Sequence, residues 1–193
     1  GPWTLHAEAR ASEQQLGADF DLRIWPPAGA TQVDFDFDSL YSRLAGLGLA
    51  YGPAFRGLIR AWRSSKHIFA EVRAPRDVST KGFEVHPALL DAALHALMID
   101  SGDEGISLPF AWSGVESFAA AGPTLHVRMT LPSSAGGAYA LDIADPSGRA
   151  VAHVSALVVR QASARELRDA FAQRAAQDLY RMTWKPVILG RGR

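Results

Sequence analysis

The sequence predicts an α+β fold in which one long central helix is wrapped by an antiparallel β-sheet. Three observations predict it. Residues 85–100, V-H-P-A-L-L-D-A-A-L-H-A-L-M-I-D, are apolar around nearly the whole helical circumference, so this helix is enclosed. The segments before and after it alternate apolar and polar residues with the period of half-buried strands. Turn sequences join those segments, D-P-S-G at Asp145–Gly148 being the strongest. An enclosed helix among such strands has to be covered by the sheet they form.

In chain order, Trp3 to Ala11 alternates and reads as a strand, and Ser12 to Gly17 as a loop. Phe20, Leu22 and Ile24 alternate with Asp21 and Arg23 until Pro26-Pro27 break the run, and Ala28 to Asp36 reads as an extended linker. A short helix follows from Leu40 to Leu47, with Asp38 or Ser39 as its cap and Gly46 and Gly48 as its end. Y-G-P-A-F-R-G-L, Tyr51 to Leu58, forces a tight non-helical backbone between two large rings. Ile59 to Trp62 and His67 to Arg73 read as a hairpin turned at Arg63 to Lys66, and Pro75 to Gly82 as a loop.

The central helix is expected from Pro87 to about Ile99. Proline suits the first helical position, and the alanines and leucines behind it are good helix formers. Ser101-Gly102 stops it. Asp91 and His95 are its polar pair, four residues apart and therefore on one face. A carboxylate in such surroundings must be bonded, paired or protonated. Apolar surroundings raise a carboxyl pKa, which makes a usable general acid near neutrality, with His95 holding it in one orientation. A satisfied core pair is the other reading of the same spacing.

After the helix, Ile106 to Trp112, Val115 to Ala119, Leu125 to Leu131, Tyr139 to Ala144 and Ala150 to Arg160 read as strands. Ser163 to Gln177 is a polar helix opened by a Ser163–Glu166 capping box, and Leu179 to Ile188 a last strand.

Bulk composition narrows the function. Twenty basic and twenty acidic residues cancel, which gives no electrostatic case for nucleic acid or an anionic membrane. With no cysteine, disulfides, thiolate zinc sites and cysteine nucleophiles are excluded, and a reducing cytoplasm is compatible. No apolar run approaches the roughly 20 residues that span a bilayer. His67, His126 and His153 lie in separate strands without ligand spacing, so no metal is expected. There is no phosphate loop and no nucleophile elbow.

Three motifs in order carry a resemblance: Y-G-P-A-F-R-G-L at Tyr51–Leu58, H-P-A-L-L-D-A-A-L-H at His86–His95 and L-P-F-A-W at Leu108–Trp112. Together they resemble the C-terminal half of the dehydratase domain of modular type I polyketide synthases. W-P-P-A-G-A at Trp25–Ala30 resembles the linker between that family's halves, and L-Y-R-M-T-W-K-P-V the entry to a following ketoreductase region. The resemblance implies a hotdog fold, the second half of a double hotdog. It divides the chain into 1–36 (end of an N-terminal hotdog and linker), 37–161 (C-terminal hotdog) and 162–193 (linker helix and strand).

The resemblance also implies elimination of water from a β-hydroxyacyl thioester. The acyl chain is carried on the phosphopantetheine of an acyl carrier protein, in a cytoplasmic, homodimeric synthase, with no further cofactor. Asp91 maps to the acid that protonates the leaving hydroxyl, and His95 to the residue that orients it. Tyr51, Pro53, Phe55, Leu58, His86, Leu108 and Pro109 map to the substrate-binding surface. For Tyr51 and Phe55 plain packing is the competing reading, and for His86 a hydrogen bond that fixes the helix start. The Arg-rich helix from Arg165 to Arg174 is either a solvated linker face or a contact for an acidic carrier protein.

One departure is marked. The family's base is a histidine in an H-x-x-x-G-x-x-x-x-P motif, and none of the six histidines here has glycine four residues on. The expectation is a chain that holds the acid without the base and is inactive alone. A non-catalytic remnant that holds neighbouring synthase domains in place is the alternative.

Overall fold

The computed structural model describes Leu5 and residues 7–11, 17–99, 106–134, 136–163 and 165–166. Its elements are β1 (Thr31–Val33), α1 (Phe37–Gly46), β2 (Leu58–Arg63), β3 (His67–Arg73), α2 (Pro87–Leu94), β4 (Ile106–Ser117), β5 (Thr124–Thr130), β6 (Tyr139–Ala144) and β7 (Ala150–Ala162). Short 3₁₀ turns occupy Pro53–Phe55 and His95–Met98. The seven strands form one sheet in the order β1-β2-β3-β5-β6-β7-β4. Every pairing is antiparallel. This is the helix-in-sheet arrangement of a hotdog.

Alternation, with register shifts between β6 and β7, decides which side chains meet α2. Leu125, Val127 and Met129 of β5, Leu141 and Ile143 of β6, and Val154 and Leu157 of β7 join Leu89, Ala92 and Ala93 of α2 in one core. The alanines let the helix sit close to the sheet. A Cβ on Gly57 would stand 2.9 Å from the Arg73 carbonyl oxygen and 3.2 Å from Ala92 Cβ, so the chain entering β2 passes α2 only as glycine. The opposite face carries a polar row in register across four strands: Arg128, Asp142, His153 and Glu116. Asp142 holds Arg128 at 2.7 Å and His153 Nδ1 at 2.8 Å. Trp25 lies over this side of the sheet, stacked on His126 at 4.2 Å and edge-on to Trp62 and Phe69.

Several boundaries differ from the sequence expectation. α2 is α-helical only to Leu94 and tightens into a 3₁₀ turn at His95–Met98, one of the ways a helix end satisfies its last carbonyls. The Arg43 guanidinium donates to the Met98 carbonyl there. α1 begins at Phe37, and its cap is Asp36 rather than Asp38 or Ser39; the Asp36 carboxylate accepts from Ser39 N–H at 2.7 Å. The sheet starts at Thr31, inside the segment read as a linker, because Thr31–Val33 pairs with Ala61–Arg63. The two expected strands from Ile106 to Ala119 are one strand, β4. Phe20 to Ile24 and the described part of Trp3 to Ala11 form no strand.

The capping box of the tail is present, with Ser163 N–H and Oγ–H both donating to Glu166 at 2.8 Å. Ser101-Gly102, the rest of the Ser163–Gln177 helix and the Leu179–Ile188 strand lie outside the described residues.

The α1 cap gives a direct test. Asp36→Ala removes the acceptor for one orphan N–H of the first turn and should lower stability by about 1 kcal/mol, read by chemical denaturation. An unchanged midpoint would mean that the cap is not holding α1.

Candidate active site

A cavity of about 550 Å³ opens between α2, the Tyr51–Phe55 segment and β4. The helix supplies Pro87, Leu90, Asp91 and Leu94, spaced i, i+3, i+4, i+7, which is one stripe of an α-helix. Tyr51 and Phe55 line it from the Gly-Pro turn, and Pro109 and Trp112 from β4. Residues three apart on a regular strand face opposite sides. A bulge between Pro109 and Ala111 shifts the register by one residue and puts Pro109 and Trp112 on one face. Proline is tolerated there because β4 is an edge strand. The displaced residue, Phe110, turns outward under the Arg160 guanidinium, 3.3 Å from its ring centroid.

Asp91 is the only carboxylate among the lining residues. Its side chain keeps 33% of its surface exposed, whereas that of His95 keeps none. His95 Nε2 stands 3.2 Å from Asp91 Oδ2, and Tyr41 Oη 3.2 Å from His95 Nδ1. The imidazole is packed between two phenol rings, Tyr51 at 4.2 Å and Tyr41 at 5.5 Å between centroids. Burial pushes the Tyr41 phenol up to about 12 and the Tyr51 phenol higher still, so both hydroxyls keep their protons. The arrangement is an apolar chamber with one carboxyl in its wall, backed by a sealed histidine. It suits a proton donor serving an apolar substrate with a single polar group.

The sequence-predicted residues divide. Tyr51, Phe55, Asp91 and Pro109 line the cavity; Pro53, Leu58, His86, His95 and Leu108 do not. Leu58 is a correction: it is 1% exposed and belongs to the core opposite Val72, because a register shift between Leu58 and Arg60 puts it on the same face as Ala61. His86 caps α2, its Nδ1 accepting from Ala88 N–H at 3.2 Å. Leu108 is half-buried against the core, and Pro53 is exposed in its turn. Leu90, Leu94 and Trp112 were missed as lining residues; the first two were legible from the helical spacing around Asp91. No cluster of metal-ligating side chains occurs among the described residues. None of the helices there is long and apolar enough to cross a membrane.

Residues 17–169 match the family model of the polyketide synthase dehydratase N-terminal domain. Mycoketide-CoA synthase of Mycobacterium tuberculosis is 41% identical over 186 residues, and Polyketide synthase GfsA of Streptomyces halstedii 42% identical over 198. The alignments cover 96% and 97% of this chain but only 4% and 3% of those proteins. A solved structure from work on dehydratase substrate selection for the borrelidin and fluvirucin polyketide synthases superposes with a TM-score of 0.66 at 41% identity. The crystal structure of the erythromycin dehydratase gives 0.63 at 36% identity. Both superpositions cover 76% of this chain and 52% of the matched chain.

Proposed function

The chain belongs to the polyketide synthase dehydratase family, and we propose that it supplies the acid half of that family's elimination. The carrying observation is Asp91: one carboxyl in the wall of an apolar cavity, bonded from behind by a buried histidine. In this reading a β-hydroxyacyl thioester enters from a phosphopantetheine arm of an acyl carrier protein. A base on a companion hotdog takes the α-proton, the electron pair forms the alkene, and the β-hydroxyl leaves as water with the proton of Asp91. Tyr51, Phe55, Leu90, Leu94 and Trp112 give the acyl chain an apolar wall. His95 bonds one carboxyl oxygen and leaves the other to the substrate.

The proposal assigns this chain to the C-terminal half, although the matched family model is described as the N-terminal domain. The motifs support the assignment. D-A-A-L-H runs from α2 into the 3₁₀ turn behind it, and the histidine motif of the other half occurs nowhere in the sequence. A span of about half the solved dehydratase chains fits one of two units. A homodimeric, cytoplasmic synthase with a neighbouring ketoreductase region completes the reading. The missing base motif equally favours a second reading, a remnant that only holds neighbouring domains.

Binding is the test that needs no second unit. A β-hydroxyacyl pantetheine thioester titrated into the chain should move the NMR signals of Leu90, Leu94 and the Trp112 indole. Signals of Leu22, Ile24 and Arg128, around a cleft on the opposite face of the sheet, should stay still. Shifts confined to that cleft, or none at millimolar ligand, would overturn the substrate role.

A further inference from the structure

Tyr41 sits at the far end of a chain of hydrogen bonds that reaches the cavity. Its hydroxyl is buried on α1, and it meets His95 across 54 residues of sequence. Burial keeps this phenol protonated, and a buried hydroxyl hydrogen needs an acceptor. The acceptor in reach is His95 Nδ1, at 3.2 Å. An imidazole that accepts at Nδ1 carries its own hydrogen at Nε2, and Nε2 faces Asp91 Oδ2. The two bonds then run in one direction: Tyr41 O–H to His95 Nδ1, and His95 Nε2–H to Asp91.

We propose that Tyr41 is a positioning residue that locks His95 as the neutral Nε2–H tautomer and so keeps the acidic proton of Asp91 on its cavity side. The proposal rests on the acid role given to Asp91 above. The alternative tautomer shows what the lock prevents. With hydrogen at Nδ1, His95 would offer a bare Nε2, and a protonated Asp91 would donate inward to it. Its proton would then be held by the histidine and not offered to a leaving hydroxyl. An imidazolium would carry hydrogen on both ring nitrogens and leave the Tyr41 hydroxyl without its acceptor. Tyr41 opposes both states, because each puts a hydrogen on the nitrogen that Tyr41 already donates to. Arg56, whose guanidinium lies 5.1 Å from the Tyr41 ring centroid, donates its Nε–H to the Tyr51 carbonyl at 3.0 Å.

The test is spectroscopic and uses the whole chain with ¹⁵N-labelled histidine, His95 being assigned by His95→Gln. Wild type should give a single His95 species at neutral pH, protonated at Nε2 and bare at Nδ1. Tyr41→Phe should lose that single species, with protonation appearing at Nδ1 as the other tautomer or as imidazolium. 3-Fluorotyrosine at position 41 keeps the shape and makes the hydroxyl a stronger donor. It should therefore move the His95 Nδ1 resonance and leave those of His86 and His153 in place. This substitution decides the matter if Tyr41→Phe does not fold. A wild-type His95 protonated at Nδ1, a Tyr41→Phe spectrum equal to wild type, or a fluorotyrosine chain with no shift would each overturn the proposal. None of these outcomes depends on turnover, so failure here is separate from failure of Asp91 as the acid.

Discussion

Asp91→Asn, placed in a dehydratase that carries both hotdog units, is expected to lower elimination by about 10²–10⁴-fold, the range for losing one positioned acid or base. The amide has the size and shape of the carboxyl. Its oxygen still accepts from His95 Nε2–H, and it leaves the apolar wall of Leu90, Leu94 and Trp112 untouched. What it lacks is a proton acidic enough to follow the hydroxyl as that group departs. The loss should therefore fall on kcat, with KM for the carrier-bound thioester nearly unchanged. Loss of water, followed by mass, is the readout. Turnover within a few-fold of wild type would show that another group protonates the leaving oxygen.

The sequence discloses the helix and its chemistry because α2 keeps one period. Pro87, Leu90, Asp91 and Leu94 fall on one stripe by counting alone, and the structure has them line one cavity. What lies beyond that stripe was hidden for identifiable reasons. His95 continues the spacing, but the chain tightens into a 3₁₀ turn at that residue, and the ring is enclosed between Tyr41 and Tyr51. L-P-F-A-W has no alternation to read, so the bulge that brings Pro109 and Trp112 to one face is invisible before the pairing with β7 is known. β1 is only three residues long, too short for any periodic signal, and exists because β2 offers it an edge. Motif membership places Leu58 with the site, and strict alternation would group it with Arg60 and Trp62 on the outer face; the register shift between Leu58 and Arg60 turns it into the core. Tyr41 could be found by neither spacing nor motif, since its contact with His95 joins two helices far apart in sequence.

Given a carrier-bound β-hydroxyacyl thioester, this chain alone should form no detectable alkene, and an added N-terminal hotdog unit should restore turnover. Elimination needs a base for a weakly acidic α-proton and an acid for the hydroxyl at the same moment. Asp91 cannot be the ionised base and the protonated acid together. His95 is sealed and bonded at both ring nitrogens, and among the described residues no histidine lines the cavity. On the proposed reading the base arrives on another unit, and β4 is the surface suited to receive one. It is the sheet's twelve-residue edge, with Phe110 55%, Trp112 37% and Val115 60% exposed along it and Trp112 in the cavity wall. Unpaired main-chain groups and apolar side chains together make such an edge a template for a further strand or an apolar partner face. Val115→Lys places a charge on that edge without touching Asp91 or the cavity wall. It should leave the fold intact and raise the concentration of N-terminal unit needed for activity by at least about tenfold, the equivalent of roughly 1.4 kcal/mol. Rescue that is indifferent to Val115→Lys would move the docking surface elsewhere. Turnover by the isolated chain, abolished by Asp91→Asn, would mean that a base within this chain had been overlooked. Failure of any N-terminal unit to restore activity would favour a structural remnant.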